Sequence, residues 1–244
     1  MKKRLDVLMV ERGLAETRSQ AQALVLAGRV KGHSKAGDQV DESAQVELEG
    51  SPRYVSRGGE KLAGALAALE VDVAGEDCLD VGASTGGFTD CLLQAGASRV
   101  VALDVGYGQL HPKLRSDPRV TVLERTNVRR LRPENLPFCP TFATCDVSFI
   151  GLSKALPPAL ACAAPGWRAL VLVKPQFEAG RPDVGKGGVV RDPEVHRRVL
   201  DELVTLAPSW RAEVLGVAES PLTGPKGNRE YFLYLRDRAP ATPS

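Results

Sequence analysis

The run Asp80-Val81-Gly82-Ala83-Ser84-Thr85-Gly86-Gly87-Phe88 constrains this chain more than any other segment. It follows a short apolar stretch, Cys78–Val81, that reads as a strand, and it opens a helical stretch, Gly87–Ala95. Glycines at such a turn let the backbone approach a ligand closely and take positive φ. In an open α/β sheet that is the place where the ligand sits. The surrounding sequence keeps the alternation: strands at 99–103, 120–123, 141–145 and 169–173, and helices near 153–162 and 194–206. Two last strands, 212–217 and 229–235, have only a loop between them. This order predicts an α/β, Rossmann-like domain with a mostly parallel sheet, helices on both faces and an antiparallel edge.

The loop chemistry narrows the ligand. A dinucleotide site would show GxGxxG, with the pyrophosphate at the helix N-terminus. Here the spacing is GxxxGG, with an acid, Asp80, ahead of the first glycine. That arrangement fits S-adenosyl-L-methionine, whose ammonium-bearing end would meet Asp80 and the backbone of Gly82, Ser84, Gly86, Gly87 and Phe88. Asp104 ends the next strand, where a carboxylate can accept both hydroxyls of a nucleoside ribose. Asn127 follows the third strand and falls near the adenine position.

The first 50 residues form a second pattern. Arg4–Gly28 reads as two short amphipathic helices, closed by Gly13 and Gly28, and strands begin at Arg29–Gly32 and Gln45–Glu49. We therefore expect a small N-terminal α+β domain over 1–50, a linker at 51–57, the larger domain at 58–236 and a frayed Pro/Ala-rich tail at 237–244. Net charge is only +2, but residues 1–35 are basic and residues 36–50 carry acids and no base. A basic lobe of this kind suits phosphate contacts with a nucleic acid.

Other classes are poorly supported. No apolar run reaches membrane-spanning length, and Asp6, Glu11 and Arg12 fall where a signal peptide needs apolar residues, so a cytoplasmic protein is expected. The cysteines, Cys78, Cys91, Cys139, Cys145 and Cys162, show no CxxC and read as reduced thiols. His33, His111 and His196 are far apart, so no metal site is expected. Gly180–Gly187 approaches a phosphate-binding loop but lacks Ser/Thr after Lys186 and a helix starting there. With Arg181, Lys186 and Arg191 it reads instead as a mobile RNA-facing flap.

Four residues carry candidate chemistry: Lys61, Asp146, Lys174 and Glu230. Asp146 and Lys174 end the fourth and fifth strands, over the sheet's carboxyl edge beside the cofactor loop. Lys61 lies on the helix leading into the domain, and Glu230 begins the final strand. A ribose hydroxyl is a weak nucleophile and needs a base, and a lysine serves if burial or a second lysine favours its neutral form. Lys174 is the candidate base, Lys61 its charged neighbour, and the two acids orient the ammonium groups.

The run Arg4-Leu5-Asp6, Gly13, Ser19-Gln20-Ala21 and Gly28-Arg29-Val30 resembles the small RNA-binding domain named after ribosomal small-subunit protein four. The resemblance implies that Arg4, Arg18, Arg29 and Lys31 face RNA. The Lys–Asp–Lys–Glu order resembles the tetrad of FtsJ-type ribose 2′-O-methyltransferases. The whole chain is similar to the TlyA family, rRNA methyltransferases also described as hemolysins. The matching stretches are Tyr54–Leu62, the glycine loop, Cys145–Ile150, Val173–Glu178 and Gly227–Tyr231. The family implies 2′-O-methylation of a cytidine ribose in ribosomal RNA, with ribosomal subunits as partners. Three rivals stay open: a base-modifying RNA methyltransferase, a membrane-active hemolysin, and an RNA-binding protein with an inert catalytic domain. Against the first, Asp146-Val147-Ser148-Phe149 lacks the prolines of amino-group methyltransferases. Against the second, no exposed amphipathic or spanning segment is visible.

Overall fold

The structure, a computed structural model, describes residues 2–15, 17–33, 35–48 and 53–238. The chain divides between Arg53 and Tyr54 into two units.

In the first unit, strand β1 (Lys2–Arg4) runs directly into helix α1 (Leu5–Glu11), followed by α2 (Arg18–Leu26) and β2 (Gln39–Asp41). β1 and β2 pair antiparallel, with Lys3 opposite Val40. The Thr17 hydroxyl caps α2 by accepting from the Gln20 amide at 3.1 Å. Leu5, Leu8 and Met9 pack with Ala21 and Val25, and Val30, Val40 and Val46 complete the core.

The strands expected here are misplaced. Gly28 and Gly32 both take positive φ (68° and 76°), so turns at 27–28 and 31–32 bracket Val30, which makes a single bridge to Leu48. That bridge is also all the described structure retains of the expected strand at 45–49, whose last residue lies outside the described set. The sheet is built instead from Lys2–Arg4, a polar run with no apolar alternation to mark it.

The second unit comprises α3 (Arg57–Ala68), β3 (Asp77–Val81), α4 (Gly87–Gln94), β4 (Arg99–Leu103), α5 (Pro112–Arg115), β5 (Val120–Leu123), β6 (Phe142–Cys145), α6 (Leu152–Leu160), β7 (Arg168–Val173), α7 (Pro175–Glu178), α8 (Pro193–Leu206), β8 (Ala212–Glu219) and β9 (Tyr231–Asp237). The sheet order is β5-β4-β3-β6-β7-β9-β8. The first five strands of that order are parallel, and β9 runs antiparallel to both β7 and β8. Alternate side chains feed two cores. Leu79, Val101 and Val171 pack towards α6 and α8, while Cys78, Val100 and Leu170 pack towards α3 and α4. The chain winds outward in both directions from β3, so the order reverses between β3 and β6 and opens a crevice at their carboxyl ends.

Two boundaries differ from expectation. Tyr54, placed in the linker, is buried in the core beneath α3 and α4. Asp237, placed in the tail, ends β9, and Glu230 stands one residue before that strand. Ser51 and Pro52 of the linker, and residues 239–244 of the tail, lie outside the described residues.

Candidate active site

The glycine loop is shaped by close backbone approach. Gly82 sits at φ 84°, and a Cβ there would collide with the carbonyl oxygen of Asp146. Gly87 begins α4 against Ser56, and a Cβ would collide with that hydroxyl. The loop thus lies flush against the ends of β6 and α3, and two clefts open beside it. The larger, about 570 Å³, is lined by Gly82, Ser84, Asp104, Asn127, Asp146 and Phe149 among others. The smaller, about 220 Å³, takes in Lys61, Gly87, Phe88 and Gly224, and shares Gly82, Ser84 and Asp146 with the first.

Asp104 stands where β4 ends and holds the loop. Its Oδ2 accepts from the Ser84 amide and its Oδ1 from the Gly106 amide, each at 2.7 Å. Each carboxylate oxygen keeps a further lone pair for a ligand hydroxyl. Asn127 Oδ1 accepts from the Arg129 amide at 3.0 Å. Phe88 packs on Phe232, their ring centroids 5.9 Å apart.

Asp80 is placed otherwise than expected. It lines neither cleft and is fully buried. Strand alternation points it to the α4 side, where it accepts from Thr89 Oγ1 at 2.6 Å and Thr144 Oγ1 at 3.0 Å. Burial pushes its carboxyl up to about 6, against the lowering effect of the two hydroxyls. Asp80 ties α4 to β6 beneath the loop, and the loop backbone is what faces the cleft.

The four candidate catalytic residues form two ion pairs. Lys61 Nζ donates to Glu230 Oε2 at 2.5 Å, and Glu230 is fully buried. Lys174 Nζ pairs with Asp146 Oδ1 and donates to Ser148 Oγ at 3.0 Å. Lys61 and Asp146 border the smaller cleft, so each pair presents one member to it. Each of the two acids thus holds one of the two lysines. The sequence reading missed Ser148, although it lies within the quoted stretch 145–150. It also missed Phe149, which is 92% exposed, sits at φ 65° and packs on Phe177 at 5.0 Å.

The first unit shows how its basic residues are held. Arg4 donates to both oxygens of the buried Asp6 at 3.0 Å, and Arg18 reaches Oδ2 at 3.2 Å. These bonds, that from Arg4 first, hold the Asp6 carboxyl well below the usual carboxylate range. Lys31 pairs with Glu47 at 3.1 Å, and Arg29 is half-buried beside Gly28. The acidic segment folds back onto the basic one, since Lys3 also pairs with Glu42 at 2.8 Å. Charge separated along the sequence is therefore partly neutralised in space.

A β3/β6 switch point, a glycine loop and an acid ending β4 fit the class of S-adenosylmethionine-dependent methyltransferases. A model of the FtsJ-like methyltransferase family matches residues 54–237, and one of the S4 domain matches residues 3–31. The chain belongs to that family, in its TlyA branch. The 16S/23S rRNA (cytidine-2′-O)-methyltransferase TlyA of Mycobacterium tuberculosis is 48% identical over 245 residues, 97% of this chain and 91% of that protein. YqxC of Bacillus subtilis is 49% identical over 240 residues, 96% and 85% of the two chains. A solved structure described as a hemolysin, from Streptococcus thermophilus, is 43% identical with a TM-score of 0.79, covering 98% of this chain and 89% of that one. Among the described residues no helix is long and apolar enough to cross a membrane, and no group of His, Cys, Asp and Glu is arranged to hold a metal.

Proposed function

We propose that this chain methylates the 2′-hydroxyl of a ribose, that of a cytidine, in ribosomal RNA, with S-adenosylmethionine as methyl donor. The observation that carries the reading is the pairing of Lys174 with Asp146 at the cleft that also holds Lys61 and the glycine loop. The residues fit the donor. Gly82 lets the loop pack directly on the Asp146 carbonyl at the border of both clefts, Asp104 offers acceptors for two ribose hydroxyls, and Asn127 lies in the same cleft as Asp104. When bound there, S-adenosylmethionine supplies an electrophilic methyl group on a sulfonium and leaves as the thioether.

The chain's own residues do the rest. Lys174 Nζ takes the 2′-hydroxyl proton as the neutral amine, having first released its own proton to solvent, so that the ribose oxygen can accept the methyl group. Asp146 and Ser148 aim that nitrogen, and Glu230 holds Lys61 at the border of the same cleft. Phe149 gives the cleft rim an exposed aromatic face of the kind on which a nucleobase stacks. The S4 domain supports RNA as the partner. RNA also fits the basic residues Arg4, Arg18, Arg29 and Lys31.

The test is methylation of ribosomal subunits with labelled donor, using the full chain. Lys174→Ala should retain S-adenosylhomocysteine binding and lose on the order of 10²–10⁴ in rate, as expected for a general base. Substrate carrying a 2′-deoxy sugar at the target should accept no methyl group. Methylation of that substrate would place the methyl on the base and overturn the reading.

A further inference from the structure

Asn228 is 3% exposed and lies two residues before Glu230. Its side chain joins two segments. Oδ1 accepts from the Val190 amide at 3.1 Å, and Nδ2 donates to the Gly188 carbonyl at 2.9 Å. Flipping the amide would set donor against donor and acceptor against acceptor, so the orientation is fixed by the network. Its main-chain carbonyl accepts from the Gly224 amide at 2.8 Å. Gly224 borders the smaller cleft, and a Cβ on it would collide with Glu230 Oε1.

The segment that Asn228 holds is a turn closed by the Gly185–Val189 bridge, with Lys186 and Arg191 exposed on it. Lys226 Nζ also donates to the Gly187 carbonyl at 2.8 Å. The Val190 carbonyl faces His196 Nε2 at 3.1 Å, and His196 Nδ1 faces the Tyr231 hydroxyl at 3.3 Å. The Val190 peptide is therefore tied to a residue on each side of Glu230. The Glu230 carbonyl itself accepts from the Ser220 amide at 2.9 Å.

We propose that Asn228 is a positioning residue that couples the cationic 185–191 turn to Glu230, so that phosphates engaged by Lys186 and Arg191 register the Lys61–Glu230 pair for turnover. Lys186 and Arg191 supply the charge that a phosphate backbone would meet. Asn228 supplies the rigid link, because both ends of its amide are bonded to the turn and its carbonyl holds the glycine packed on the Glu230 carboxyl. This inference rests on the reading of Glu230 as part of the methyl-transfer site.

The experiment is a double-mutant cycle on the full chain, measuring kcat and KM on ribosomal subunits and affinity for S-adenosylhomocysteine. Asn228→Ala should lower kcat at least about tenfold, with S-adenosylhomocysteine affinity within about twofold of wild type. Combined with Glu230→Gln, it should lose little beyond the worse single variant, because both act through one carboxylate. A residue that merely supports the fold would give losses that multiply. Should Asn228→Ala fail to fold, Asn228→Asp carries the same cycle, since it keeps the side chain's shape and the acceptor for Val190. Multiplying losses, with the methyl still delivered to the ribose, overturn this coupling and leave the activity standing. A loss confined to S-adenosylhomocysteine affinity also overturns the coupling. A silent Glu230→Gln overturns both.

Discussion

Lys61 Nζ and Glu230 Oε2 lie 2.5 Å apart across 169 residues of chain, and the carboxylate has no exposed surface. Removing the lysine strands a buried charge, which costs roughly 3–5 kcal/mol, whereas replacing both partners by neutral residues costs far less. Lys61→Met should therefore be strongly destabilised in denaturant unfolding. Lys61→Met with Glu230→Gln should regain most of the stability without regaining turnover. A single variant as stable as wild type would mean that the pair does not form.

Asp104 holds the amides of Ser84 and Gly106 and borders the larger cleft. Asp104→Ala removes an ionised acceptor from the position proposed for the ligand ribose. It also frees the loop that the ligand must meet. Calorimetry with S-adenosylhomocysteine should show a weakening of about 1–3 kcal/mol. Undiminished affinity, or binding of NAD in its place, would overturn the assignment of this cleft.

Asp80 makes stability depend on pH. Its folded-state pKa of about 6 lies above the ordinary 3.8, so between those values the folded chain holds a proton that the unfolded chain has released. Stability then falls as pH rises through that window, by on the order of 3 kcal/mol for a shift near two units. Asp80→Asn keeps the shape and stays neutral, so it should flatten this contribution and unfold later than wild type near pH 7. The comparison is unfolding of the two proteins at pH 4, 5, 6 and 7. Parallel curves would show that the buried carboxyl is not the source.

The placement of Asp104, Asp146 and Lys174 was legible because each follows a strongly apolar run, and strand ends locate side chains at the sheet's carboxyl edge. Asp80 was misread because it lies inside a strand, where alternation sends it to the α4 face away from the cleft. Nothing in the spacing reveals that Lys61 pairs with Glu230 and Lys174 with Asp146, since those partners meet only through the sheet order. In the first unit the polar strand Lys2–Arg4 has no periodic signature, and glycines at positive φ broke the segment that does. The acidic run 36–50 looked like a separate charged segment until the fold set Glu42 and Glu47 against Lys3 and Lys31.

The first unit offers a prediction of its own through Asp6. This carboxylate is fully buried and accepts from Arg4, from Arg18 and from Gln22 Nε2 at 2.8 Å, while both arginines remain substantially exposed. It therefore orders two cations that could meet RNA phosphates. Because its folded pKa is depressed, its stabilising contribution is present in full above the ordinary carboxylate pKa and is lost progressively as pH falls from there through the folded pKa. Asp6→Asn removes the charge that aligns Arg4 and Arg18 and should cost this unit about 1–3 kcal/mol, as for other charged hydrogen bonds. Two opposing effects then act on RNA. The unit gains one positive charge, which strengthens non-specific attraction, but the arginines lose their fixed geometry. If alignment matters more than net charge, Asp6→Asn binds ribosomal subunits more weakly without a shallower salt dependence. Arg4→Ala and Arg18→Ala should instead each flatten the plot of log affinity against log salt by a little under one unit, as loss of a phosphate contact does. Subunit binding as tight as wild type in Asp6→Asn, with unfolding unchanged, would leave Asp6 with no part in presenting the arginines.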